Sequence, residues 1–125
     1  MGLRVHLVED EPNIVVTLTY LLERAGFDVS STTDGQAALT VALADPPAVM
    51  ILDVALPVLS GLEVLRRLRA DPRGRNVPVI VLTAKGRQSD RESALSSGAD
   101  LYVTKPFSNA ELIAAVRRMA GVEPA

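Results

Sequence analysis

The order of apolar and polar positions changes repeatedly between two patterns along the chain. Unbroken apolar runs, such as Val49–Leu52 and Val77–Leu82, are typical of strands buried on both faces of a sheet. Segments between these runs place apolar residues three or four positions apart, which predicts amphipathic helices. The predicted strands are Leu3–Val8, Phe27–Ser31, Ala48–Leu52, Val77–Leu82 and Leu101–Val103.

A helix is predicted after each strand, and turn or capping residues mark several helix ends. Asp34 is placed to cap the second helix, and Gly26 and Gly98 end the first and the fourth. Ser108, with Glu111 three residues later, forms a capping-box pattern at the start of the fifth. Such alternation predicts parallel strands joined by right-handed crossovers. We therefore expect an α/β fold: a doubly wound five-stranded parallel sheet, flavodoxin-like (βα)5, of order 2-1-3-4-5.

Length and composition fit one domain. The chain has 125 residues, and 48% of them are hydrophobic, which is enough for a core. We assign residues 1–121 to this domain and residues 122–125 to a C-terminal tail or truncated linker. The absence of cysteine excludes thiol chemistry, and a net charge of -2 gives no general attraction to nucleic acid or anionic membrane. With no apolar run near ~18 residues and no signal-peptide layout, a soluble cytoplasmic domain is expected.

Chemically active side chains follow four of the predicted strands. The carboxyl ends of neighbouring parallel strands form one rim, where ligands bind in open α/β sheets. We expect Asp53, which ends an apolar run, to face solvent at this rim. The predicted strand order collects there Glu9 and Asp10 after the first strand, Asp53 after the third, Thr83 and Lys85 after the fourth, and Lys105 after the fifth.

The chemistry of this rim favours phosphoryl transfer. Carboxylates so close together repel one another, and a hard cation relieves that repulsion. Mg²⁺ suits the place because it takes a few carboxylates, keeps several waters and completes its shell with phosphate oxygens. Lys105 adds a second positive charge, and Thr83 adds a hydroxyl donor. Asp53, flanked by both positive groups, is the candidate nucleophile that forms an aspartyl phosphate.

Four segments in this order resemble a known family: "LVEDEP", "ILDVALP", "VIVLTA" and "SGADLYVTKPF". They are similar to the receiver domain of bacterial two-component response regulators, and the resemblance runs from Arg4 to about Met119. It implies a role for each rim residue. Glu9, Asp10, Asp53 and the backbone carbonyl of Ala55 would bind Mg²⁺; Asp53 would be the phosphoacceptor, Thr83 and Tyr102 the switch residues, and Lys105, with a cis bond to Pro106, the phosphoryl-binding lysine.

The resemblance also implies partners. A sensor histidine kinase or phosphotransfer protein would donate from a phosphohistidine, and the surface of the fourth helix, fifth strand and fifth helix would then control an output partner or domain. Some family members dimerise through this surface with charges like Arg91, Glu92, Asp100 and Arg117, although Ala115 stands where many of them have arginine. A homodimer is one expectation; direct binding of this domain to nucleic acid or membrane is not expected.

Two positions bear on how long a phosphoryl group survives. Ala55 and Lys85 lie two residues beyond Asp53 and Thr83, where the family resemblance implies that side chains tune this lifetime. Ala55 has no group that orients water, and Lys85 has no acceptor that serves as a base. A fairly long-lived phosphoryl state is therefore expected.

Two other functions compete with a signalling switch. A phosphatase of the haloacid-dehalogenase type also uses a strand-end aspartate and Mg²⁺, but it needs a second aspartate two residues on, where this chain has Ala55. A receiver-like binding module that has lost phosphorylation usually lacks an acid or the lysine, and none is missing here. We interpret this chain as a switch that catalyses only its own phosphorylation and dephosphorylation.

Two further features have structural interpretations. His6, the single histidine, is interpreted as a packing residue of the first strand and not as a phosphodonor. A basic cluster near the end of the third helix is interpreted as a solvated face, with a docking patch for an acidic partner as the alternative. Its members are Arg66, Arg67, Arg69, Arg73 and Arg75.

Overall fold

Strands and helices alternate along the chain, as the sequence predicts. The computed structural model describes residues 2–83 and 88–122. Within these ranges, no helix is long and apolar enough to cross a bilayer. The strands are β1 (Arg4–Val8), β2 (Asp28–Thr32), β3 (Val49–Asp53), β4 (Val79–Thr83) and β5 (Leu101–Thr104), and the helices are α1 (Pro12–Arg24), α2 (Gly35–Ala44), α3 (Gly61–Ala70), α4 (Gln88–Ser96) and α5 (Asn109–Met119).

The strands form a parallel sheet of order β2-β1-β3-β4-β5, which confirms the predicted topology. Every residue of β3 and β4 is buried, which explains their unbroken apolar runs. Both strands extend one residue further than predicted, because Asp53 pairs with Leu82 and Thr83 pairs with Thr104. These two polar residues therefore belong to the ladder and are held by it.

Side chains on the two faces of the sheet form two cores. Successive residues of a strand point to opposite faces. Met50 and Leu52 accordingly pack with α2, α3 and α4, whereas Val49 and Ile51 pack with α1 and α5. Each fully buried aliphatic side chain contributes about 1.5–3 kcal/mol. The two cores together fix the positions of the strand ends at the rim.

Capping residues begin the second and fifth helices as predicted. The Asp34 carboxylate accepts the N–H of Ala37 at 2.8 Å. The Ser108 hydroxyl accepts the N–H of Glu111 at 3.2 Å. Each such cap contributes about 1 kcal/mol. Helix α4 ends ahead of Gly98, whose φ of 110° lies in the region that favours glycine.

Arg69 connects three segments near the amino ends of the strands, so the prediction of a solvated basic face is wrong for this residue. Its Nε donates to the carbonyl of Gly98 at 2.9 Å, and its Nη1 donates to the carbonyl of Val77 at 2.7 Å. Its Nη2 pairs with the Asp100 carboxylate at 3.0 Å. The same carboxylate accepts the N–H of Val79, the first residue of β4, at 2.8 Å. Arg69 thereby ties the end of α3 to β4 and to the chain entering β5.

The loop between β3 and α3 contains a strained turn at Val58. Val58 has a φ of 69°, and the N–H of Leu59 donates to the carbonyl of Pro57 at 2.8 Å. This is a γ-turn of the rare and strained hand. Gly35, at the start of α2, donates to the same Pro57 carbonyl at 3.3 Å, and a Cβ there would overlap the Leu59 carbonyl. The loop is therefore held against α2 despite its strain.

Candidate functional site

Carboxylates meet where β1 and β3 reach the rim. Glu9 and Asp10 directly follow β1, and Asp53 is the last residue of β3. One oxygen atom from each of these three residues lies within 4.8 Å of the others. Glu9 and Asp53 are buried, and Asp10 is exposed. The structure thus brings together the acids that the strand order predicts to be neighbours.

Asp53 does not face solvent, and that prediction is wrong. Only 4% of the residue is exposed. A buried carboxylate costs several kcal/mol, roughly, unless it is paired. Lys105 Nζ lies 3.4 Å from Oδ2 of Asp53, and the N–H of Ala55 donates to Oδ1 at 3.3 Å. These two partners offset part of the cost of burying the carboxylate below the surface of the rim.

The environment of Asp53 disfavours its charge. Burial, followed by the negative charge of Glu9, raises the pKa of Asp53 to about 6. The charge of Lys105 and the hydrogen bond from Ala55 act in the opposite direction but do not cancel these causes. A cation in contact with the carboxylates favours their ionised forms and opposes this shift. The site therefore favours the binding of a further positive charge.

Lys105 connects the end of β5 to the acidic cluster. Its Nζ lies 2.9 Å from Oε1 of Glu9, a carboxylate with no exposed surface. Burial acts to lower the pKa of Lys105, but the hydrogen bond to Glu9 and the charge of Asp53 outweigh burial and raise it. The ammonium is therefore firmly protonated. The peptide bond from Lys105 to Pro106 is cis, as the resemblance implies.

Glu9 is held by its backbone as well as by its carboxylate. Its N–H donates to the carbonyl of Thr32, at the end of β2, at 3.1 Å. Its Oε2 accepts the N–H of Glu11 at 3.1 Å. The sequence does not indicate that Thr32 contacts Glu9, because a hydroxyl residue at the end of a polar strand is common. Its place follows only from the register between β1 and β2, in which Val8 pairs with Thr32.

Thr83 and Tyr102 lie on neighbouring strands and on the same face of the sheet. Thr83 is buried at the end of β4, and its carbonyl accepts the N–H of Lys105 at 2.7 Å. Tyr102 pairs with Val81, two residues before Thr83, so both side chains project from one face. The Tyr102 side chain is partly buried against the core that includes α4. Lys85 lies outside the described residues, so its role stays a prediction.

The ligands available in this cluster fit Mg²⁺. Three carboxylates offer oxygen atoms only, which hard cations prefer. The chain has no cysteine, and its one histidine, His6, lies inside β1 and outside the cluster. The sulfur and imidazole ligands typical of zinc are therefore not part of this site.

A doubly wound parallel sheet with acids, a lysine and a hydroxyl at its carboxyl rim fits the class of magnesium-dependent phosphoryl-transfer domains, to which receiver domains belong. The chain belongs to the response regulator receiver domain family, which matches residues 5–117.

Curated relatives include transcriptional regulators. The chain is 44% identical over 116 residues to the phosphate regulon transcriptional regulatory protein PhoB of Rhizobium meliloti (strain 1021), covering 93% of this chain and 51% of that protein. It is 43% identical over 117 residues to the alkaline phosphatase synthesis transcriptional regulatory protein PhoP of Bacillus subtilis (strain 168), covering 94% and 48%. The chain thus spans about half the length of the curated relatives it matches.

Solved structures agree with the fold and the cofactor. The receiver domain of the sensor histidine kinase PA1611 from Pseudomonas aeruginosa PAO1, with a magnesium ion in its active-site cleft, is 36% identical with a TM-score of 0.85, covering 97% of this chain and 99% of that one. A putative response regulator from Chloroflexus aurantiacus J-10-fl is 29% identical with a TM-score of 0.91, also covering 97% and 99%. Mg²⁺ is thus the cofactor that both the donor set and a relative indicate.

Proposed function

We propose that this domain is a phosphorylation-controlled switch in which Asp53 accepts a phosphoryl group. The observation that supports this most directly is the position of the Asp53 carboxylate, in contact with Lys105 and next to two further acids. A phosphoryl group on Asp53 would lie between an ammonium and a cation site, which together neutralise its charge. Membership of the receiver family supports the same function.

The proposed reaction exchanges one bond to phosphorus for another. An oxygen of the ionised Asp53 carboxylate attacks the phosphorus of a phosphohistidine. The new O–P bond forms as the P–N bond of the donor breaks, and the donor imidazole leaves with that electron pair and takes up a proton. The Lys105 ammonium and the Thr83 hydroxyl then donate hydrogen bonds to the phosphoryl oxygens.

Glu9, Asp10, Asp53 and the carbonyl of Ala55 are the residues that would hold Mg²⁺. When bound, Mg²⁺ supplies positive charge that offsets the repulsion of the acids and stabilises phosphoryl oxygens. Asp10, the exposed acid, is accessible to an ion arriving from solvent. Lys105, in contact with Glu9 and Asp53, holds these two carboxylates in place.

The proposed output is a change in the surface of α4, β5 and α5. Thr83 would move towards the phosphoryl group, and Tyr102 would turn further inward into the space it leaves. Their position on one face of the sheet supports this coupling, which in such switches amounts to about 1–3 kcal/mol. Two copies would pair through this surface. Asp100 already pairs with Arg69 in its own chain, so its use in a dimer requires that this ion pair be shared or broken.

The proposed donor is a sensor histidine kinase or phosphotransfer protein in the cytoplasm, and the proposed phosphoryl state is long-lived. Ala55 is exposed beside Asp53 and presents only a methyl group, which does not orient water. Ala55→Asn or Ala55→Glu, alone or with Lys85 shortened, should therefore speed the loss of the phosphoryl group after the donor is removed. An unchanged decay rate in these variants would show that neither position controls access of water.

Acetyl phosphate with Mg²⁺ tests the proposed function. On a phosphate-affinity gel, the wild type should form a slowly hydrolysing adduct and Asp53→Asn should form none. Asp28→Asn, which removes an exposed acid of β2, is the matched control and should behave as wild type. Continuous turnover of acetyl phosphate would instead indicate a phosphatase, and no adduct in any variant would indicate a binding module. A full gel shift of the Asp53→Asn variant would show that another residue accepts the phosphoryl group.

A further inference from the structure

His6 is buried between β1 and the edge strand β2, and both of its ring nitrogens have hydroxyl partners. Nδ1 lies 2.7 Å from Oγ of Ser30, and Nε2 lies 3.0 Å from Oγ1 of Thr32. Only 2% of His6 is exposed. A neutral imidazole donates from one nitrogen and accepts at the other, and a hydroxyl group fills either role. His6 therefore bridges two residues of β2 and does more than fill space.

The same Thr32 reaches the acidic cluster through its backbone. Its carbonyl accepts the N–H of Glu9 at 3.1 Å. The Glu9 carboxylate belongs to the cluster that fits a cation, and it also accepts from Lys105. Thr32 thus contacts His6 with its hydroxyl and Glu9 with its carbonyl. Two hydrogen bonds, joined through the covalent structure of Thr32, therefore connect the His6 side chain to the backbone of Glu9.

Strand β2 is an edge strand with little buried surface. Among the strands that the structure describes it pairs with β1 alone, along its full length from Asp28 to Thr32. Three of its five residues are exposed, and Val29 and Thr32 are only partly buried. Strands with little buried surface open locally at low free-energy cost. The two side-chain bonds to His6 therefore add to the backbone pairing with β1 in holding the end of β2 in register.

We propose that His6 is a positioning residue for the metal site. By holding the Thr32 hydroxyl, His6 fixes the Thr32 carbonyl, which fixes the Glu9 backbone and raises the affinity for Mg²⁺. The proposal rests on the proposed role of Glu9 in metal binding. Partners that orient the ligands of a metal typically change its affinity by about 10–100-fold when removed.

A reciprocal effect follows from thermodynamic linkage. If order at the end of β2 favours Mg²⁺ binding, then Mg²⁺ must favour that order by the same free energy. Mg²⁺ should therefore slow hydrogen exchange of the β2 amides in the wild type. This slowing should be lost when the bond between His6 and Thr32 is removed. A residue that acts only on global stability would change exchange with and without Mg²⁺ equally.

Two conservative variants separate the two bonds of His6. Asparagine places its amide near the position of Nδ1, so His6→Asn keeps a partner for Ser30 and loses Thr32. Glutamine reaches the position of Nε2, so His6→Gln keeps a partner for Thr32. In a Mg²⁺ titration followed by amide chemical shifts of the site, His6→Gln should bind as wild type, and His6→Asn should bind about ten-fold more weakly.

A double-mutant cycle tests whether His6 acts through Thr32. Thr32→Val removes the hydroxyl and keeps the branched shape, and it should weaken Mg²⁺ binding as much as His6→Asn does. The two changes together should cost no more than either alone, because they remove one interaction. Ser30→Ala is the matched control, since Ser30 also contacts His6 but not Glu9, and it should leave Mg²⁺ affinity unchanged. Urea unfolding establishes which variants are folded during the titration. If His6→Asn is unfolded, the comparison of Mg²⁺ affinity between Thr32→Val and Ser30→Ala tests the proposal by itself.

The outcomes are distinct. The proposal would be overturned, with the metal site intact, if Ser30→Ala weakened Mg²⁺ binding as much as Thr32→Val does. It would also be overturned if the losses of Mg²⁺ affinity in His6→Asn and Thr32→Val added up in the double mutant. A wild type that binds no Mg²⁺ would overturn the proposed metal role of Glu9 and this inference with it. Formation of the Asp53 adduct is measured separately, so failure of phosphoryl transfer would not be mistaken for failure of positioning.

Discussion

Lys105 and Glu9, 96 positions apart in the chain, are joined by an ion pair of 2.9 Å in which the carboxylate is completely buried. The pair links the end of β1 to the end of β5 across the ends of β3 and β4, which lie between them. It also sets the electrostatics of Asp53, since Glu9 raises the pKa of that carboxyl and Lys105 lowers it. Stability and chemistry at the rim therefore depend on the same ammonium.

Replacing Lys105 with methionine should destabilise the fold by about 3 kcal/mol, because it leaves a buried carboxylate without its partner. Urea unfolding at neutral pH measures the loss. Mg²⁺ should restore more stability to Lys105→Met than to wild type, since a cation relieves the repulsion of the acids. Lys105→Arg keeps the charge and should lose less. Equal stability of Lys105→Met and wild type would show that the ion pair contributes nothing.

Val58→Gly should stabilise the protein by about 1 kcal/mol, because glycine adopts a positive φ without strain and valine does not. The gain survives the higher entropy of glycine in the unfolded chain, and burial is not lost because Val58 is 81% exposed. Val16→Gly is the matched control: Val16 is also exposed, but it lies in α1, where replacing valine with glycine should destabilise by about 0.3–0.5 kcal/mol. If Val58→Gly lowered the midpoint of urea unfolding, the turn would not be strained.

Arg69→Met should destabilise by at least about 2 kcal/mol, because it leaves carbonyls and the Asp100 carboxylate without their donor. Arg66→Met is the matched control on the same helix. Within the part of the chain that the structure describes, the exposed Arg66 pairs only with the partly exposed Glu63, so its replacement should cost less than about 0.5 kcal/mol. Denaturant unfolding of both variants checks the difference. Similar losses would restore the interpretation of the whole cluster as a solvated face.

The contribution of His6 to the stability of the protein should fall at acidic pH because its imidazole is buried in its neutral form. Burial, followed by the charge of Arg4, lowers the pKa of His6 from 6.5 to about 4. As the pH falls, His6 is protonated in the unfolded chain before it is protonated in the folded protein. The contribution of the neutral imidazole to the free energy of unfolding is therefore complete above pH ~6.5 and falls by about 3 kcal/mol as the pH approaches ~4. Asp53, whose pKa is raised, has the opposite dependence in this range. The difference in unfolding free energy between wild type and His6→Gln therefore isolates His6, and a constant difference from pH 7 to 4 would contradict the shift.

The topology and the composition of the site were predictable because both follow from local patterns. Runs such as Val49–Leu52 indicate burial on both faces, and alternation with helices makes the strands parallel. Once the strands are parallel, their carboxyl ends lie along one edge of the sheet, which places Glu9, Asp53 and Lys105 on the same rim. No contact between distant side chains needs to be known for this step.

The incorrect predictions concern properties that depend on contacts between residues far apart in the sequence. The depth of Asp53 is set by a lysine 52 positions away, and no local pattern specifies how close that lysine comes. Arg69 resembles Arg66 and Arg67 in the sequence, yet its guanidinium is satisfied by Gly98, 29 positions away. The positive φ of Val58 has no signal either, because the usual indicator, a glycine, is missing at that position.

The five residues of β4 begin at the hydrogen-bonded network of Arg69 and end at Thr83, so one short strand separates the part of the domain that maintains the fold from the part that meets ligands. Mutational libraries can exploit this separation. Randomising the residues around the carboxyl rim, with the Lys105–Glu9 ion pair kept, should yield many folded variants with altered chemistry, provided that Arg69, Gly98 and Asp100 also stay fixed. Randomising the opposite end should mostly yield proteins that fail to accumulate in cells, whatever their active-site residues.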